Sequence, residues 1–222
     1  MKKNIVFTII LAFTINVALS SMENRLSLGF EYGNFFEKGT DGGIDNEIYL
    51  GAPGLHWNFY HLWDNLGFFH NHSFLFPNNI SSNVDGYDYY FRYNFIIGPA
   101  YKIEFNEKVD MTFGIGFSLG PTIGKLNDKE FTQFSIGIGG DLGVSFFLNK
   151  MVYINIGSIF SYHFANLTSM DTGEYTIDDD GDRDEIRNTE WSDNYSMFGV
   201  RPYIRFGIKL KDVLSKIRDS LK

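Results

Sequence analysis

The chain alternates. From Tyr89 to Phe105 one set of positions reads Tyr89, Phe91, Tyr93, Phe95, Ile97, Pro99, Tyr101, Ile103 and Phe105, and from Met111 the set resumes as Met111, Phe113, Ile115, Phe117, Leu119, Pro121 and Ile123. The positions between are Tyr90, Arg92, Asn94, Ile96, Gly98, Ala100, Lys102 and Glu104, then Asp110, Thr112, Gly114, Gly116, Ser118, Gly120 and Thr122. Successive side chains of a strand point to opposite faces, so a period of two predicts two strands, with Asn106–Val109 as the turn between them.

What the two faces are made of decides where they point. The polar face of a sheet in water carries long charged side chains. Here it is mostly Gly, Ser, Thr and Asn, which suit a tight concave interior. The other face is an unbroken wall of rings and branched chains, too large an apolar surface to leave in water. Both facts point to an inside-out barrel, with the apolar face toward lipid and the small polar face toward the lumen. Closure also removes the sheet edges, whose unpaired backbone groups lipid cannot satisfy.

The same pattern recurs along the chain. It predicts further strands at about 25–35, 47–62, 66–76, 131–147, 151–164 and 195–210. That makes eight antiparallel strands, an up-and-down barrel. A two-residue turn at Asp64-Asn65 sets Trp63 opposite Leu66, Phe59 opposite His70 and Trp57 opposite His72. Short connections are expected after the second, fourth and sixth strands. Long ones are expected at 38–43, 77–86 and 165–194, and one of medium length at 125–130. Short turns at one end and longer loops at the other suit a barrel with both chain ends on the turn side. Pro53, Pro99, Pro121 and Pro202 fall on the apolar face. Each removes a ladder donor, and a bulge or local opening is expected at Pro53-Gly54.

Residues 1–20 read as a secretory signal peptide: Lys2 and Lys3, then an apolar run to Leu19, then small residues at Ala18 and Ser20 before the cut. The apolar run is shorter than the roughly 20 residues of a spanning helix. Residues 21–210 are the barrel. In the tail, 211–222, Val213, Leu214, Ile217 and Leu221 share one helical face, which predicts a short amphipathic helix. A net charge of −8 disfavours nucleic acid, which needs a basic face. The lack of cysteine excludes disulfides and thiolate-held metals.

On these strands and connections the chain resembles the small eight-stranded bacterial outer-membrane barrels of the OmpA-barrel, OmpX and OmpW kind. The likeness spans nearly the whole segment after residue 20 and rests on architecture. The family commonly ends on an aromatic residue that closes the last strand. Here that strand ends near Leu210 and twelve residues follow. The resemblance implies export to the outer membrane, a monomer surrounded by outer-membrane lipid, and a narrow or lateral channel for small hydrophobic solutes. The alternative is a structural or adhesive protein that meets a host or extracellular ligand at its outer loops.

The candidate chemistry is modest. Glu31, Arg92, Asp141, Arg201 and Arg205 all point inward, and ions in a narrow barrel must pair, so a lumen network is expected in which Arg205 meets Glu31 or Asp141. Eight strands leave an interior that side chains fill. Asp178, Asp180, Asp182, Asp184 and Glu185 in the last long loop form a possible weak cation site, although an EF-hand register would place Arg187 at its twelfth position. His56 lies on the face opposite His61, His70 and His72, so the strand register denies them a shared metal. Ser161 and His163 share an inward face with no third member of a triad, which leaves a lipid-modifying enzyme a remote reading. No catalytic residue, metal or cofactor is expected.

Overall fold

The structure is a computed structural model that describes residues 23–41, 44–83, 85–177, 183–192 and 195–210. The expected signal peptide and the expected helical tail lie outside the described residues. Ten strands follow one another: β1 (Glu23–Asp41), β2 (Ile44–Trp63), β3 (Leu66–Leu75), β4 (Asn79–Ser82), β5 (Tyr87–Asn106), β6 (Val109–Leu126), β7 (Lys129–Phe147), β8 (Val152–Ile177), β9 (Arg183–Ser192) and β10 (Ser196–Lys209). Eight of them close a ring in the order β1-β2-β3-β5-β6-β7-β8-β10, and β10 returns to β1 antiparallel. Strand β4 continues the line of β3 along β2, and β9 pairs with the far part of β8.

The faces point as the alternation requires. Phe117 is 72 % exposed, Phe30 67 % and Phe206 59 %, whereas Arg201 and Asn94 on the alternate positions are 0 % exposed. The register across the first short turn is the one that a two-residue connection dictates, with Trp63 opposite Leu66 and Trp57 opposite His72. Asp64 takes the left-handed conformation there, at φ 54°. Strand ends Arg25 and Lys209 pair at the same end as the short turns, which we call the turn end; the other is the loop end.

The loop end departs from expectation in four places. Strand pairing runs further than the apolar alternation: β1 and β2 still pair at Asp41 and Ile44. Likewise β6 and β7 join through Asn127 and Asp128, both at positive φ, which Asn and Asp tolerate in a tight hairpin turn. The segment expected as a loop at 165–194 is largely a hairpin, β8 with β9. Tyr89, expected on the lipid face, is buried inside, because a register shift between Tyr89 and Phe91 reverses the alternation and turns Tyr90 outward.

The fourth departure concerns proline. Strand β2 passes Pro53 in continuous register with β1, while on its other side the register shifts by one residue between the pair Gly54 with Leu75 and the pair Gly51 with Asn79, so the expected irregularity lies on the β3–β4 side. The β5–β6 ladder skips the pairs at Pro99 and Pro121, and the β1–β10 ladder skips the pair at Pro202, in each case without changing register. The β3–β5 ladder ends just before Pro77. Phe76 and Asn78 donate their N–H groups to Pro53 and Gly51 of β2, at 2.9 Å and 3.0 Å. Alternate residues point their N–H groups to opposite sides, so that of residue 77 would face β5. Proline has none. Beyond Leu75, which pairs with Arg92, the chain stays with β2 while β5 stays with β6, and among the described residues no ladder joins β4 to β5, although the two remain neighbours.

Candidate functional site: a plugged lumen beneath an apolar compartment

The interior is built in layers. At the turn end Arg25 makes a two-pronged pair with Asp110, Nη1 to Oδ1 at 3.0 Å and Nη2 to Oδ2 at 2.6 Å. Glu23 pairs with the same Arg25, with Lys102 at 3.3 Å and with Lys209 at 3.6 Å. The fork of a guanidinium matches a carboxylate, so this layer ties β1 to β6 across the hollow.

Asp141 organises the middle layer. Arg205 donates to it through Nη1 at 2.7 Å and Nη2 at 2.9 Å, Tyr203 donates at 2.7 Å, and Asn58 and Asn71 donate at 3.1 Å and 3.3 Å. Asn155 accepts from Arg205 Nε at 3.0 Å. Tyr60, Phe69, Ile96 and Ile159 fill the space around them. A buried ion pair tolerates loss of water only when its remaining lone pairs and protons find partners, and this one does.

Of the two carboxylates expected near Arg205, Asp141 meets it and Glu31 does not. Glu31 faces His56, Oε2 to Nδ1 at 3.7 Å, and forms no ion pair with an arginine among the described residues. Arg201 and Arg92 lie nearer the loop end. Arg201 donates to Asn94; Arg92 donates to Thr122 at 2.8 Å and Ser135 at 3.1 Å. The structure thus joins one pair of the expected network and leaves Glu31, Arg92 and Arg201 in separate contacts. Ser161 and His163 share no hydrogen bond; His163 Nε2 instead meets Ser118 at 2.9 Å and Asn94 at 3.3 Å.

Above the arginines the interior turns apolar. Phe35, Ile48, Leu50, Leu75, Tyr89, Phe131, Tyr195 and Met197 form one buried cluster. The alternation could have shown part of this, since Phe35 and Phe131 occupy inward positions; the reversal at Tyr89 could not be read. Glu37 is buried at this level, five residues past the outward Tyr32, and accepts a 3.0 Å bond from Gln133. The compartment abuts the stretch where β4 and β5 part. Leu75 and Tyr89 belong to the cluster, Ile80 and Tyr87 pack on it, and the rings of Phe76 and Phe91 stand 5.9 Å apart at the foot of the split.

The histidines of the outer wall form a ladder of rings. His70 Nδ1 lies 3.0 Å from His72 Nε2, and His72 Nδ1 lies 2.6 Å from the Tyr93 hydroxyl. His56 is inside. Among the described residues no group of three or more His, Asp or Glu is placed to hold a metal ion. Of the acidic run, Asp178, Asp180 and Asp182 lie outside the described residues, and Asp184 and Glu185 are described only as part of β9.

No protein-family model matches the chain, and no curated protein matches it. Solved structures do. Neisserial surface protein A matches with a TM-score of 0.54 at 12 % identity, over 83 % of this chain and 96 % of that one. The outer membrane protein OprG of Pseudomonas aeruginosa matches at 0.49 with 14 % identity, over 86 % and 98 %. Ail, the attachment invasion locus protein of Yersinia pestis, matches at 0.45 with 12 % identity, over 84 % and 99 %. At such identities the likeness concerns the fold, and the first match carries it. With the rings turned outward and the ions inward, the chain folds as a small eight-stranded β-barrel of the outer-membrane kind.

Proposed function

We propose that the protein resides in the outer membrane as a monomer and admits small hydrophobic solutes from the loop end, releasing them sideways into the bilayer. The observation that carries this reading is the lack of a ladder between β4 and β5, among the described residues, beside the buried apolar cluster. An apolar solute leaves water for that compartment, gaining roughly 25 cal/mol per Å² of surface removed from water. The route down the axis is closed to it by Arg205, Asp141 and Arg25, all buried and paired. The split between strands opens instead onto the lipid face, where the solute is more soluble still. No step of this route needs a catalytic group or a cofactor.

The test compares intact cells that express or lack the protein. Radiolabelled naphthalene should accumulate several-fold faster in the expressing cells, and glucose uptake should be the same in both. Equal naphthalene uptake would reject the reading. A second function is favoured by one feature: β8 continues to Ile177 and pairs with β9, beyond the ring itself, next to the acidic run. Such a hairpin suits contact with a basic partner at the cell surface. Deleting residues 171–190 should then abolish host-cell binding and leave naphthalene uptake in place.

A further inference from the structure

Arg92 and Arg201 are fully buried, and among the described residues neither forms an ion pair. Both guanidinium groups lie over the ring of Phe35, at 5.4 Å and 5.9 Å from its centroid. A Cβ on Gly199 would meet both the Phe35 ring and Ser161 Oγ, so the serine belongs to the same layer. Five open polar atoms are found here: Arg92 Nε, Arg201 Nε and Nη1, Ser161 Oγ and His163 Nδ1.

The bonds already made fix what these atoms are. A guanidinium only donates, so the atom of Asn94 facing Arg201 is its oxygen. The Asn94 amide nitrogen then donates to His163 Nε2, which must accept, and the imidazole proton belongs on Nδ1. Every open nitrogen in the layer is therefore a donor, and the serine hydroxyl can rotate to donate. The open carboxylate oxygens, those of Glu31 and Glu37 Oε2, make no ion pair with Arg92 or Arg201 among the described residues, and Glu31 Oε2 lies 3.7 Å from His56 Nδ1. A water placed among these groups would accept from at most two of them. An anion accepts from all of them and puts a negative charge in contact with two buried cations that have no directly paired carboxylate.

We propose that this layer binds one small monovalent anion of the chloride class, held between Arg92 and Arg201 by their open N–H groups with Ser161 as a further donor. It sits between the Asp141 layer and the apolar compartment and completes the closure of the axis. Because it is enclosed, it enters when the barrel forms.

The test refolds the full chain from urea into detergent, once in sodium bromide and once in sodium gluconate at equal ionic strength. Gluconate is too large for the layer. A crystal grown from the bromide sample should give an anomalous scattering peak between Arg92 and Arg201. The melting temperature should be higher in bromide than in gluconate. That difference should vanish in Arg201→Met and shrink in Ser161→Ala, which removes only a hydroxyl and keeps the test usable should the arginine variant fail to refold. Equal melting temperatures in the two salts, or a crystal with water and no anomalous peak in the layer, would overturn the proposal.

Discussion

Asp141 accepts from four side chains on three strands besides its own, so its loss is felt beyond one contact. Asp141→Asn leaves Arg205 charged, buried and without a carboxylate. Breaking one half of such a pair costs about 3–5 kcal/mol. We expect urea unfolding in detergent micelles to show that loss, and the double variant Asp141→Asn with Arg205→Met to lose less than the two single variants together. The inward parity of Glu31, Arg92, Asp141, Arg201 and Arg205 is legible from alternation alone. Their partners are not. Opposite walls of a barrel meet according to strand tilt and stagger, which no local stretch encodes.

At the scale of elements, the ladder to β5 ends at Leu75, two residues before Pro77, which lacks the N–H that would face β5. The sequence shows the proline but not its consequence, because Pro77-Asn78-Asn79 reads as ordinary loop chemistry. Pro53, Pro99, Pro121 and Pro202 are the more conspicuous positions, inside strong alternation; the ladders of β5–β6 and β1–β10 pass the last three without changing register, and at Pro53 only the β3–β4 side of β2 shifts, by one residue. The difference lies in what surrounds each. A proline flanked by long paired stretches loses a rung; at Pro77 only the four residues of β4 follow, and they pair with β2 alone. Pro77→Ala restores a donor aimed at β5 and removes the constraint on φ. We expect it to slow naphthalene uptake severalfold while the barrel still migrates as a folded, heat-modifiable species on a gel. Uptake unchanged in a folded Pro77→Ala protein would separate the split from transport.

At the scale of the molecule, the layers make a closed tube with a packed apolar cluster toward its loop end. Charged layers at the turn end and middle seal the axis, and eight strands leave no spare width. Reconstituted into a planar bilayer, the protein should give no stepwise ionic current at moderate voltage. Regular single-channel steps would mean that the Asp141 layer opens in the membrane and that the passage runs down the axis.

The sequence by itself determined the strands, their faces and the closure. These follow from a period-two pattern whose apolar side is too large for water and whose polar side is too small to meet it. Tertiary structure alone decided which ions pair, that the upper interior is apolar, and that the wall parts between β4 and β5. Each of those depends on groups far apart in the chain, brought level by the stagger of the closed sheet, or on a single bulge that reverses inside and outside for everything beyond it.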